Sequence, residues 1–281
     1  METIENLSFD EERALYGSAN LVIRNCSFTG PADGESALKE ARSIRAERCL
    51  FDLRYPLWHV SGLGMEDCRL TENARAALWY SSGVEVMRSH LDGIKAFREC
   101  SEVSLENCTI KSDEFGWFCR GLSMQRCTLS GVYALMRSDD ISLKDVTYRG
   151  RYGLQYITGG EFSGCDITSR DAFWHARGVT VKNSILRGEF LGWYSEGLTL
   201  INCRIISSQP LCYCRGLKMT GCEMVDCDLS FEKSDVDADI SSSVESIKNP
   251  LSGRILVDSV EELIVTAPES RAEVVVRRKR S

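Results

Sequence analysis

The sequence predicts an all-β chain wound as a single right-handed parallel β-helix, with about 12 coils of about 19 residues and three short strands in each. The first observation behind this is a nine-residue phrase. GLKMTGCEM at 216–224 recurs as GLTLINCRI at 197–205, GLSMQRCTL at 121–129, EVSLENCTI at 102–110 and GLGMEDCRL at 62–70. The second is its spacing. Anchored on the Cys slot, the copies fall at Cys26, Cys49, Cys68, Ser89, Cys108, Cys127, Val146, Cys165, Ser184, Cys203, Cys222 and Ser241, separated by 23, 19, 21 and then eight times 19 residues. So strict a period is the mark of stacked units that pack only on their neighbours.

Within one coil the residues name their own places. Leu198 and Leu200 alternate with Thr199 and Ile201, the period-2 pattern of a half-buried strand. A corner follows at Asn202, a slot that elsewhere holds Asn25, Asn107, Asn183, Gly164 or Gly221, residues that tolerate a left-handed backbone. Cys203 and Ile205 then point inward on a second strand, and Leu211 to Cys214 read as a third. The interchange of Cys with Ser and Val marks a small buried position. A leucine-rich repeat has a similar period but requires a helix-like return, whereas the returns here (FGWFCR, LGWYSE) are aromatic and strand-like.

The remaining elements follow in order. Residues 1–19 are expected to cap the open end of the first coil, 20–245 to form the coils, and 246–281 to supply closing strands and a basic tail, all within one domain. The first coil is four residues longer than the standard, and its insertion (Gly30 to Glu40) begins as a Gly-Pro-Asp loop and continues into ESALKEAR, a candidate single helical turn. Two further residues are inserted around Asn73 to Ala77. The chain ends in Arg277-Arg278-Lys279-Arg280, read as a solvated terminus.

Composition narrows the function classes. A hydrophobic content of 43%, a charged content of 27% and a net charge of −7 suit a soluble domain and argue against nucleic acid as a partner. No apolar run is long enough to span a membrane. The opening METIENLSFDEERALY has acidic residues where a signal peptide carries lysines, and thirteen cysteines imply a reducing compartment. The expected location is the cytoplasm.

DGESALKE (33–40), LRYPLWHV (53–60), the two WYS returns (79–81 and 193–195) and IKNPLSG (247–253) resemble an uncharacterised, mostly bacterial family of about this length. It is catalogued as a domain of unknown function with a right-handed, pectin-lyase-like β-helix. The resemblance spans essentially the whole chain and implies the fold. It implies no activity and no catalytic residues.

Candidate function lies in what varies between coils. Nine and ten residues after the anchors, with Trp79 and Tyr80 joining once the two-residue insertion is allowed for, run two columns rich in rings: Trp58, Trp79, Trp117, Trp174 and Trp193 in one, and His59, Tyr80, Arg137, Tyr156, His175, Tyr194 and Tyr213 in the other. Strict strand alternation puts one column inside and one outside. The outer one suits the apolar faces and hydroxyls of a carbohydrate, a protein partner, or simple ring stacking that stabilises the coils. An acidic column, Glu47, Glu66, Glu85 and Glu106, is read on the first strand; stacked carboxylates serve glycoside hydrolysis or hold a cation, unless neighbouring arginines neutralise them. Cys212 and Cys214 with Cys203, Cys222 and Cys227 invite a zinc reading, set aside because Cys203 and Cys222 belong to the buried column and no paired CxxC exists. No metal, no cofactor and no identifiable catalytic set are expected. Three readings stand open: a non-catalytic binding or scaffold module, a polysaccharide lyase or glycoside hydrolase using carboxylates near the rings, and a structural homo-oligomer.

Overall fold

In the computed structural model, which describes residues 1–30 and 35–278, the regular structure is entirely β. The chain is a parallel β-helix of about 14 turns of about 19 residues. It divides into two compact units, Met1–Ser142 and Leu143–Ser281.

In the first unit one ladder stacks the first strand of each coil, Glu2–Glu5, Ala19–Arg24, Arg42–Glu47, Ser61–Glu66, Ser82–Met87, Ser101–Glu106 and Arg120–Gln125, always in parallel. A second ladder stacks the shorter strands that follow each corner. The second unit repeats the scheme, and ends on two long strands, Asp235–Lys248 and Ser252–Ile264, with Glu273–Val276 paired to the last of them. The turns beyond the expected 12 come from the ends. Residues expected as an N-terminal cap form a coil of their own, in which Asn6 takes the corner at φ 59° and Leu7 stands in the Cys slot.

The interior is a set of like-on-like columns, because stacking brings equivalent slots together. Phe9, Phe28 and Phe51 stack at 4.9 Å, and Phe28 and Phe51 are wholly buried. The Cys slot is more than a small hydrophobic position. Its thiols reach back to backbone carbonyls of the preceding coil, as in Cys68 Sγ to Ala46 O at 3.4 Å and Cys203 Sγ to Val181 O at 3.4 Å. Ser89 and Ser184 fill the same slot by accepting the Cys68 and Cys165 backbone N–H groups at 3.0 Å. Cys and Ser therefore interchange because both bond the backbone at the corner, where an unpaired polar group is costly. A second buried Cys/Ser column closes the third corner with Ser81, Cys100, Cys119, Ser138, Ser195, Cys214 and Ser234. All thirteen thiols are free and buried.

The third side is where the structure departs from expectation. It is not a third strand but a run of turns, with isolated bridges between coils such as Trp79 to Arg98 to Trp117. Alternate residues hold a left-handed backbone: Leu57 at φ 63° and His59 at 54°, Leu154 at 61° and Tyr156 at 57°. Their N–H groups then point to opposite neighbours, Leu57 to Ala37 O in the coil before and His59 to Trp79 O in the coil after, both at 2.9 Å. Ser36, Leu38 and Glu40 follow the same pattern, so the candidate helical turn is instead the third side of its coil. Pro31 to Gly34 lie outside the described residues, as do Lys279 and Arg280 of the basic tail. Arg277 is not a solvated end: it pairs with Asp239 and Asp258.

Candidate functional site

The unusual third side settles where the rings go. Leu57, Phe97, Leu135, Leu154, Phe173 and Leu211 are buried; the residue after each is half-buried, or buried as Gln155 and Cys212 are, and the one after that is half-buried or exposed. Inside-or-outside alternation does not apply, because the backbone is not a strand. The Trp column is half-buried and the Tyr/His column is more exposed.

The Trp column is a set of latches. Each indole N–H donates to a carbonyl of the next coil: Trp58 to Ala76 O at 2.5 Å, Trp79 to Lys95 O at 2.7 Å, Trp117 to Tyr133 O at 2.5 Å, Trp174 to Phe190 O at 2.9 Å and Trp193 to Gln209 O at 2.6 Å. Gln155 occupies the same slot and makes the same bond, Nε2 to Asp171 O at 3.2 Å. Arg98, also in the slot, lies over the rings of Trp79 and Trp117 at 5.1 and 5.6 Å. The rings stack as well, Trp58 on Trp79 at 5.1 Å and Trp174 on Trp193 at 5.7 Å. A buried indole N–H needs a partner, and here it finds one that couples neighbouring coils.

The outer column differs between the two units. In the first, His59 stacks on Tyr80 at 5.0 Å, and Glu99 then interrupts the rings before Phe118; Arg137 is exposed. In the second, four rings run without a break: Tyr156 on His175 at 4.9 Å, His175 on Tyr194 at 5.0 Å and Tyr194 on Tyr213 at 4.8 Å, with interplanar angles of 8°, 9° and 11°. Stacked this closely, the rings hide their faces against one another. They offer edges to solvent: phenol hydroxyls and imidazole nitrogens, one per coil.

This column leads into a groove of about 780 Å³, lined by His175, Tyr194 and Tyr213 together with Arg215, Lys233 and Leu251. Glu269 also lines the groove, and the other two carboxylates there have internal partners. Asp235 accepts the Gly216 N–H at 3.2 Å and the Ser252 hydroxyl at 2.8 Å, and Glu196 faces Arg177 at 3.7 Å. Burial, with Glu232 nearby, pushes the Tyr213 phenol above its ordinary range, so it remains a hydrogen-bond donor at neutral pH. Arg215, Lys233 and Leu251 escaped sequence reasoning. The 19-residue register was the available signal, since it places Lys233 one coil beyond Cys214 and Leu251 past the Asn-Pro turn.

The acidic column is corrected by the strand register. Glu47 pairs with Glu66, but Glu66 pairs with Met87, and Glu85 lies opposite Gly64 and Ser104. Glu85 sits two residues earlier in its strand than the others, so it belongs to a different slot. The true members are neutralised: Glu47 by Arg24 at 2.9 Å and Arg45 at 3.1 Å, Glu66 by Arg45 and Arg88, Glu106 by Arg126. The hydrogen bond from Arg24 holds the Glu47 carboxyl below its usual range. Cys212 and Cys227 turn to backbone carbonyls at 3.5 Å, and burial pushes both thiols up to about 12. No cluster of three or more His, Cys, Asp or Glu with the geometry of a metal site occurs among the described residues.

One buried carboxyl stands apart. Asp171 is 8% exposed, and its Oδ1 has no hydrogen-bond partner. Burial raises its pKa. Ionisation is thus disfavoured in the fold: the stability linked to this group is full below the ordinary carboxylate range and is lost as pH rises through the raised value. Asp171→Asn is therefore expected to raise the unfolding temperature at pH 7 and to leave it unchanged in acid below that range. Melting curves at the two pH values check this, and equal shifts at both would contradict it.

The parallel coils and the ring-bearing third side define a β-helix repeat protein. The chain belongs to the family described as "Protein of unknown function (DUF3737)", which matches residues 2–276. No curated protein matches it. Among solved structures it is similar to tailspike protein 3 of bacteriophage CBA120, at 12% identity and a TM-score of 0.37 over 97% of this chain and 51% of that one. The chain thus spans about half the length of the tailspike. It is also similar to the A-module of the Azotobacter vinelandii mannuronan C-5 epimerase AlgE6, at 9% identity and a TM-score of 0.33 over 99% of this chain and 89% of that one. A third is the Streptococcus pneumoniae surface adhesin PfbA, at 8% identity and a TM-score of 0.29 over 82% and 70%.

Proposed function

We propose that the chain is a non-catalytic recognition module, and that the Tyr156–His175–Tyr194–Tyr213 column and the groove beside it bind an extended carbohydrate. The carrying observation is the unbroken row of ring edges, which sets one polar group per coil at a spacing of 4.8 to 5.0 Å. Such a row suits a polymer whose hydroxyls repeat along its length, and Leu251 with the Tyr213 ring adds the apolar contact a sugar needs. The reading is non-catalytic because two of the groove's three carboxylates, Asp235 and Glu196, have internal partners, which leaves Glu269 without a second free carboxylate to work with.

Soluble oligosaccharides are expected to quench the fluorescence of Trp193, whose ring lies 5.2 Å from that of Tyr213. Tyr194→Ala with Tyr213→Ala should weaken binding by about a hundredfold, the loss of two ring contacts of about 1 to 1.5 kcal/mol each. The tyrosines are the right targets, since removing Trp174 or Trp193 would also release a latch. A flat response to a broad glycan panel would sink the reading. Concentration-dependent dimers that vanish in the double variant would reassign the face to self-association.

A further inference from the structure

The second of the two insertions in the first unit builds a wall. The two extra residues between Cys68 and Ser89 are spent after the strand Arg69–Leu70, where the third side begins. The resulting loop is pinned. The Asp52 carboxylate accepts from the Thr71 hydroxyl and from Asn73 Nδ2, the Tyr55 N–H donates to Arg75 O at 3.0 Å, and the Trp58 latch holds Ala76. Two charged side chains of the loop, Glu72 and Arg75, make no hydrogen bond or ion pair among the described residues. Both line a groove of about 600 Å³ whose floor comes from the following coils. That volume is within the range of small-ligand pockets, and insertions in repeat proteins commonly shape a binding face.

The charges in this groove are unequal in their freedom. Asp92 faces Arg69 at 3.7 Å, and Asp113 accepts the Val132 N–H at 2.9 Å. Arg75 and Lys111 make no ion pair among the described residues, which leaves two uncommitted cations in one groove. Beside them Ile94 is 40% exposed, an apolar surface for a flat face. A guanidinium takes an oxyanion through two parallel N–H bonds, and an ammonium adds a point charge.

We propose that this groove binds an anionic sugar. Arg75 and Lys111 hold its carboxylate or phosphate, Ile94 meets the sugar ring, and Glu72 accepts its hydroxyls. The proposal stands on different residues from the ring column and does not depend on it.

Calorimetry on the full chain tests it with four probes: glucuronate, glucose phosphate, glucose and inorganic phosphate. At least one of the charged sugars is expected to bind, more weakly as salt rises, and which one binds identifies the oxyanion. Glucose and inorganic phosphate should bind at least about tenfold more weakly. Arg75→Ala and Lys111→Ala each replace an exposed side chain, and each should cost about tenfold in affinity, whereas Tyr194→Ala should cost nothing. Circular dichroism confirms that each variant folds. Absence of heat with both charged sugars would overturn the proposal, as would glucose or inorganic phosphate binding equally well. Unchanged affinity in either folded cation variant would do the same.

Discussion

Gly188→Ala is expected to destabilise the protein by about 3 kcal/mol or more, through a backbone no other residue adopts comfortably. Gly188 has φ 136°, and a Cβ there would overlap the Ser169 carbonyl, standing 2.6 Å from its carbon. Nothing flexible can yield, because the obstacle is the backbone of the preceding coil. Gly178 is the control. Its φ is 60° and no heavy atom lies within 4 Å of an added Cβ, so Gly178→Ala should cost only about 1 to 2 kcal/mol. Denaturant melts of the two variants decide the matter, and equal losses would show that the close approach at Gly188 relaxes freely.

Phe28→Ala is expected to cost about 3 to 5 kcal/mol, the range for emptying a buried aromatic site. Phe28 is wholly buried and has a stacked ring on each side, Phe9 and Phe51, both at 4.9 Å. No neighbour can collapse into the gap without breaking its own stack. Because coils couple mainly to their neighbours, the damage should be local. Amide hydrogen exchange should show lost protection in the strands Glu2–Glu5, Ala19–Arg24 and Arg42–Glu47, with Thr199–Ile201 unaffected. Uniform loss across the chain would instead mean that the coils unfold as one unit.

The coil was legible because packing repeats. Cys203, Leu198 and Leu200 announce their inward places by recurring at a fixed interval, and the Asn202 corner declares itself through residues that tolerate a left-handed backbone. The third side was not legible as a non-strand, since its left-handed positions are filled by residues such as Leu57, Phe97, Phe173 and Tyr194, none of which signals such a backbone. The same gap hid the answer to which ring column faces out. The first coil was missed because Leu7 fills a slot that elsewhere holds Cys, Ser or Val. Glu85 was misplaced by counting acidic residues per strand instead of counting from the anchor. As for the site, the rings could be read, but the latch bonds could not. A Trp donating to a carbonyl sixteen residues on is invisible until the coil closes.

The ring column has a property that no ring in it determines. Its rise, 4.8 to 5.0 Å per rung, matches the rise of the strands beneath it and is set by backbone hydrogen bonds between coils. The second unit is therefore a ruler whose marks can be edited without changing the interval. Splicing in one 19-residue coil would add a rung, and excising one would remove it, with the spacing of the others unchanged. The length of the recognition face becomes a countable, designable quantity, separate from the chemistry written on each rung.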